Sequence, residues 1–77
     1  MNERDLAARL TATELACLRY LLNYPEAELS HYDNHLIERL LHLGLIDRVM
    51  RLALPIIPQH VRYRLTEKGR FVLKLRR

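Results

Sequence analysis

The sequence predicts a small α+β domain: a three-helix core whose second helix is short, a two-stranded antiparallel hairpin and a closing C-terminal helix. Three observations carry this. Apolar residues recur at helical spacing through residues 11–23 and 32–43, and Gly44 follows the second run where a left-handed stop belongs. Residues 45–54 and 61–65 are rich in β-branched and large apolar side chains, with Pro55 and Pro58 between them. Thr66 then opens a last apolar-periodic stretch.

A chain of 77 residues holds one core and no second. At 49% hydrophobic and 29% charged, its composition is that of a folded domain rather than a disordered segment. No apolar run approaches the ~20 residues that span a bilayer, so no membrane partner is expected. The charged start, Met1-Asn2-Glu3-Arg4-Asp5, lacks the apolar centre of a signal peptide. The single Cys17 forms no internal disulfide, and a cytoplasmic location is expected.

Residues 1–9 are a polar extension, frayed or helical, and residues 10–77 are the domain. Thr11-Ala12-Thr13-Glu14 has the spacing of a capping box, flanked by Leu10 and Leu15 as a hydrophobic staple. The helix that follows runs to about Asn23, with Leu15, Leu18, Leu21 and Leu22 as its apolar stripe and Cys17 beside it. Pro25 ends it. Residues 25–30 offer a short second helix with Pro25, Glu26 and Glu28 in its first turn and Leu29 as anchor.

Ser30 followed by Asp33 caps the next helix, at residues 31–43. At ~100° per residue, Tyr32, Leu36, Ile37, Leu40, Leu41 and Leu43 share one broad side. His31, His35, Glu38 and His42 fall within roughly 60° of one another opposite, flanked by Asn34 and Arg39. Leu45 packs back on Leu40 across Gly44. In the returning strand Val61, Tyr63 and Leu65 point inward while Arg62 and Arg64 point outward. Thr66 caps the last helix, with Phe71, Val72 and Leu75 as its apolar side.

Charge is divided along the chain. Residues 1–47 carry four Arg against eight Asp and Glu, a net of −4, whereas residues 48–77 carry nine Lys and Arg against Glu67 alone, a net of +8. A basic C-terminal part suits a polyanion or an acidic protein surface.

Gly44-Leu45-Ile46-x-Arg48 resembles the junction between recognition helix and wing in winged helix-turn-helix domains. Tyr63-x-Leu65-Thr66-x-x-Gly69 resembles the exit from the wing in MarR-like and related small transcription regulators, and the Thr-x-x-Glu opening is common there too. The resemblance spans roughly residues 10–75, and only residues 25–30 are left for the family's second helix. It implies a recognition-type helix at 31–43, a wing at 45–65, a C-terminal helix at 66–76, and duplex DNA as the partner of a bacterial or phage transcription regulator.

The same resemblance implies that Asn34, His35, Arg39 and His42 face base edges, and that Arg51, His60, Arg62 and Arg64 of the wing meet phosphates or the minor groove, with Arg48 adding charge nearby. The helix sets Asp33 and Glu38 against one Arg, so polyanion affinity has to come from the wing and C-terminus. The alternative is a protein–protein module, adaptor or phage-type inhibitor, acting through an apolar tip at Leu54, Ile56 and Ile57 or as a homodimer.

No cofactor, metal or small-molecule substrate is expected. His31, His35 and His42 share a face but lack the fourth ligand of a structural zinc site. Gly44 and Gly69 form no phosphate-binding loop, and no nucleophile–base set can be assembled, so an enzyme is not expected.

Overall fold

In the computed structural model, residues 2–49 and 61–76 are described. They form four helices and a two-stranded antiparallel sheet, in the order α1 (Glu3–Arg9), α2 (Ala12–Asn23), α3 (Asn34–His42), β1 (Ile46–Val49), β2 (Arg62–Leu65) and α4 (Glu67–Leu75). No described helix is long and apolar enough to cross a membrane.

The N-terminal residues are helical. Asn2 caps α1, its side chain accepting from the Asp5 N–H at 2.9 Å. Leu6, Ala7 and Leu10 are buried, and α1 packs against α4. Burial of Leu6 and Leu10 contributes about 2 kcal/mol each, enough to hold a seven-residue helix that would not persist alone.

The capping box at the start of α2 is present in both directions. The Thr11 hydroxyl accepts from the Glu14 N–H at 3.1 Å, and Glu14 Oε1 accepts from the Thr11 N–H at 2.8 Å. Leu15, Leu18 and Leu21 are buried with Cys17, but Leu22 is 50% exposed. Glu14 takes its place on the stripe: positions 14, 17, 18 and 21 follow the i, i+3, i+4, i+7 rule and all four are buried.

Residues 25–30 form no helix, which corrects the expected short second helix. Glu26 sits in the left-handed region (φ 59°), incompatible with a right-handed first turn after Pro25. Ala27 instead forms an isolated antiparallel bridge with Tyr63, whose N–H donates to the Ala27 carbonyl at 2.9 Å. Leu29 is nonetheless buried, as expected of an anchor. Helix α3 begins at Asn34 rather than at residue 31, because Asp33 is its N-cap and accepts from the His35 N–H at 2.7 Å.

At the other end of α3 the stop is a Schellman motif. Gly44 has φ 75°, its N–H donates to Leu41, and the Leu45 N–H donates to Leu40, both at 3.0 Å. The start of α4 locks onto this stop. Thr66 accepts from the Gly69 N–H at 3.0 Å, as expected of its cap, and its hydroxyl donates to the Gly44 carbonyl at 2.7 Å. The Thr66 N–H donates to Leu45 at 3.1 Å, and Lys68 Nζ reaches the Leu43 carbonyl at 3.0 Å. Gly69 is required by this approach, since a Cβ there would lie 2.3 Å from the Leu45 carbonyl oxygen. Its close contact sets the phase of α4. Gly69, Val72 and Leu73 are buried, whereas Phe71, expected inside, is 50% exposed.

In the sheet, Ile46 pairs with Leu65, Asp47 with Arg64, Arg48 with Tyr63 and Val49 with Arg62. Ile46 and Leu65 are buried, Tyr63 is half-buried, and Arg62 and Arg64 are exposed, so the expected alternation holds from Arg62 to Leu65. Val61 is exposed. The remainder of the expected wing, residues 50–60, lies outside the described residues.

Candidate nucleic-acid interface

The two strands form a ribbon whose cross-strand pairs share a face. Arg64 stands across from Asp47, Arg62 across from Val49, and Arg48 across from Tyr63; all three arginines are exposed. The four charged residues of the two strands leave the ribbon at +2. Directly after it, Lys68, Arg70, Lys74 and Arg76 are exposed against Glu67, although Lys68 is already engaged with the Leu43 carbonyl. Arg51 and His60, expected to extend this surface, and the apolar tip residues Leu54, Ile56 and Ile57 lie outside the described residues.

Helix α3 presents a different face. Asn34, His35, Glu38, Arg39 and His42 are all exposed, while Ile37 and Leu40 are buried. Its one arginine is not an isolated charge. Arg39 Nε lies 2.8 Å from Oε2 of Glu14 on α2, and the Arg39 side chain keeps 54% of its exposure while that of Glu14 keeps 5%. The contact is an ion pair rather than an aligned hydrogen bond, and among the described residues Oε2 has no other partner. Glu14 therefore caps α2 with one oxygen and ties α3 to α2 with the other. Sequence reasoning finds the first role from the Thr-x-x-Glu spacing. The second was signalled by Glu14 falling in phase with the buried stripe, where a carboxylate needs a cation.

His31 leaves the histidine set. It lies in the turn before α3, its ring edge-on to Tyr20 at 5.2 Å and tilted on Tyr32 at 4.3 Å. Tyr24 completes the cluster, 4.9 Å from Tyr20. Tyr20, Tyr24 and His31 border an open recess of about 430 Å³ that Ala27 and Arg62 also line. Burial raises the Tyr32 phenol above its ordinary range, with smaller contributions from Cys17 and Tyr20. Sequence spacing put His31 with His35 because it assumed a helix from residue 31. Among the described residues no group of three or more His, Cys, Asp or Glu is placed to hold a metal ion.

Cys17 is fully buried on α2, and burial pushes its thiol up to about 11. It stays protonated and inert at neutral pH.

Compared with protein families, curated proteins and solved structures, the chain matches none.

Proposed function

We propose that this protein binds duplex DNA as a small transcription regulator of the winged-helix kind, with the ribbon and C-terminal helix supplying affinity and α3 supplying what sequence preference there is. The observation that carries the reading is the contrast between the two surfaces. Arg62 and Arg64 stand exposed on one face of the ribbon and Arg48 on the other, and Lys68, Arg70, Lys74 and Arg76 are exposed in and after α4. On α3 the single arginine is offset by Glu14, and Glu38 is exposed beside it. Phosphate attraction grows with the number of cations brought to the backbone, so the ribbon dominates it. Hydrogen-bonding groups on α3, namely Asn34, His35, Arg39 and His42, suit base edges more than phosphates. The test is fluorescence anisotropy with a labelled mixed-sequence duplex at low ionic strength. Saturable binding that weakens as salt is added is expected; no binding at low salt overturns the reading.

A second reading, a protein-binding module, draws support from the lack of a helix at residues 25–30 and from the half-exposed Leu22 and Phe71. It expects concentration-dependent association that Phe71→Ser, or Ile56→Asp in the apolar tip, abolishes without unfolding the domain. Sedimentation that is unchanged in both variants counts against it.

A further inference from the structure

We infer that Glu14 is a positioning residue for base discrimination: from α2, its carboxylate holds the charged Arg39 guanidinium in place on the exposed face of α3, where its terminal donors meet a base edge. The inference rests on the DNA-binding reading and deepens it by naming the side chain that sets preference and the one that aims it.

Three observations lead there. Glu14 is buried, and its carboxylate is already half used by the cap of α2. That cap fixes the carboxylate rigidly, because Oε1 is held by the Thr11 N–H at 2.8 Å. Among the described residues Oε2 meets Arg39 alone, at 2.8 Å from Nε. A guanidinium has five N–H donors in a planar fork. With no aligned hydrogen bond to Oε2, the ion pair uses up none of these donors, and the side chain remains 54% exposed to present them. Two parallel Nη donors match the paired acceptors on the major-groove edge of guanine. An arginine free to rotate would lose side-chain freedom on meeting that edge; one already pinned loses less.

The pair also takes over a task. With no helix at residues 25–30 between them, α2 is the helix next before α3, and the ion pair joins the two directly. Because Glu14 offsets the charge of Arg39, the pinned guanidinium adds little general attraction to phosphate. Its effect falls on which base is preferred, and the salt dependence stays with the ribbon.

The informative variant is Glu14→Gln, since glutamine serves equally at the third position of a capping box but carries no charge to hold the guanidinium. Binding-site selection from a random duplex library, with the salt dependence of binding measured in parallel, is run on the full chain, on Glu14→Gln, on Arg39→Ala and on the double variant. The full chain is expected to prefer one base at the Arg39 position by on the order of tenfold or more. Both single variants lose that preference and the double variant loses no more than either; the double variant, which removes both charges, keeps the parent's salt slope, while Glu14→Gln, which uncovers the Arg39 charge, steepens it by at most about 0.9. In the free protein, nitrogen relaxation by nuclear magnetic resonance is expected to find the Nε of Arg39 less mobile than those of Arg62 and Arg64, with that restraint lost in Glu14→Gln.

If the full chain binds no duplex, the DNA-binding reading falls and this inference with it. If it binds without preference, or if Glu14→Gln keeps the preference, the inference alone is overturned and phosphate binding by the ribbon stands. Should Glu14→Gln fail to fold, an Arg39 Nε in the unmodified protein that is as mobile as those of the ribbon arginines overturns it.

Discussion

Replacing Gly69 with alanine sets two effects of known size against each other. Inside a helix alanine is better than glycine by about 1 kcal/mol. Position 69 lies in the first turn of α4, so local propensity alone expects a more stable protein. Packing expects the reverse. The added Cβ would meet the Leu45 carbonyl oxygen at 2.3 Å, Leu65 Cδ1 at 2.7 Å and the Leu45 carbonyl carbon at 3.2 Å. The Leu65 methyl can turn aside. The Leu45 backbone cannot, because its N–H is tied to Leu40 and its carbonyl accepts from Thr66. Relief therefore requires α4 to retreat, which weakens the Thr66 bonds to Leu45 and to Gly44, each worth about 1 kcal/mol. Overpacking strain adds roughly 1–3 kcal/mol. Against the gain in propensity, the net loss is about 2–4 kcal/mol, or a fall in melting temperature of roughly 10–25 °C for a domain of this size. Gly44→Ala is the comparison. A Cβ there meets nothing nearer than Lys68 Cδ at 3.9 Å, so its cost is that of φ 75° alone, about 1–2 kcal/mol. Urea unfolding followed by circular dichroism should rank Gly69→Ala below Gly44→Ala and both below the parent. A Gly69→Ala protein as stable as the parent would refute the claim that α4 is seated on the Leu45 backbone.

The buried thiol gives a prediction in pH. An unfolded Cys17 ionises from about its ordinary value of 9.0, whereas the native thiol holds its proton to about 11. The native state thus keeps a proton that the unfolded state has lost, and stability falls as pH rises through that window, by on the order of 2–3 kcal/mol. Cys17→Ala should lose this part of the alkaline drop, and iodoacetamide should label native Cys17 only at the rate of unfolding. Arg39→Ala leaves the Glu14 carboxylate buried without its cation. Since Arg39 is half exposed and water can partly replace it, the cost should be about 1–2 kcal/mol in urea unfolding, rather than the larger value for a fully buried pair. Leu18→Ala, at a side chain with no exposed surface, should cost about 2–5 kcal/mol in the same assay.

The features legible in the sequence are those decided within a few residues. The Thr11–Glu14 capping box, the Gly44 stop with its bond from Leu45 to Leu40, and the Thr66 cap were all readable from spacing because both partners lie on one turn. Where distant residues decide, local reasoning failed. Residues 25–30 had a helix-like first turn, but Ala27 pairs across 36 positions with Tyr63, and Glu26 turns the chain to let it. Phe71 and Leu73 exchanged places because the phase of α4 is set by the contact of Gly69 with Leu45, which no periodicity within α4 alone reveals. Asn34, His35, Arg39, His42, Arg48, Arg62 and Arg64 were expected on the surface and are exposed. The phase of Glu14 on α2 signals that it needs a cation, but that Arg39 supplies it is not readable, since this depends on how α3 lies across α2.

The measurement that bears most directly on the proposed function is the salt dependence of duplex binding in the parent protein and in the Arg62→Ala/Arg64→Ala variant. Each phosphate neutralised contributes about −0.9 to the slope of log affinity against log salt. Arg62 and Arg64, which share one face of the ribbon, alone give a parent slope of roughly −2, steeper if α4 takes part, and the double variant should be shallower by roughly 2. Equal slopes in the two proteins, or a parent whose binding ignores salt, would contradict the account.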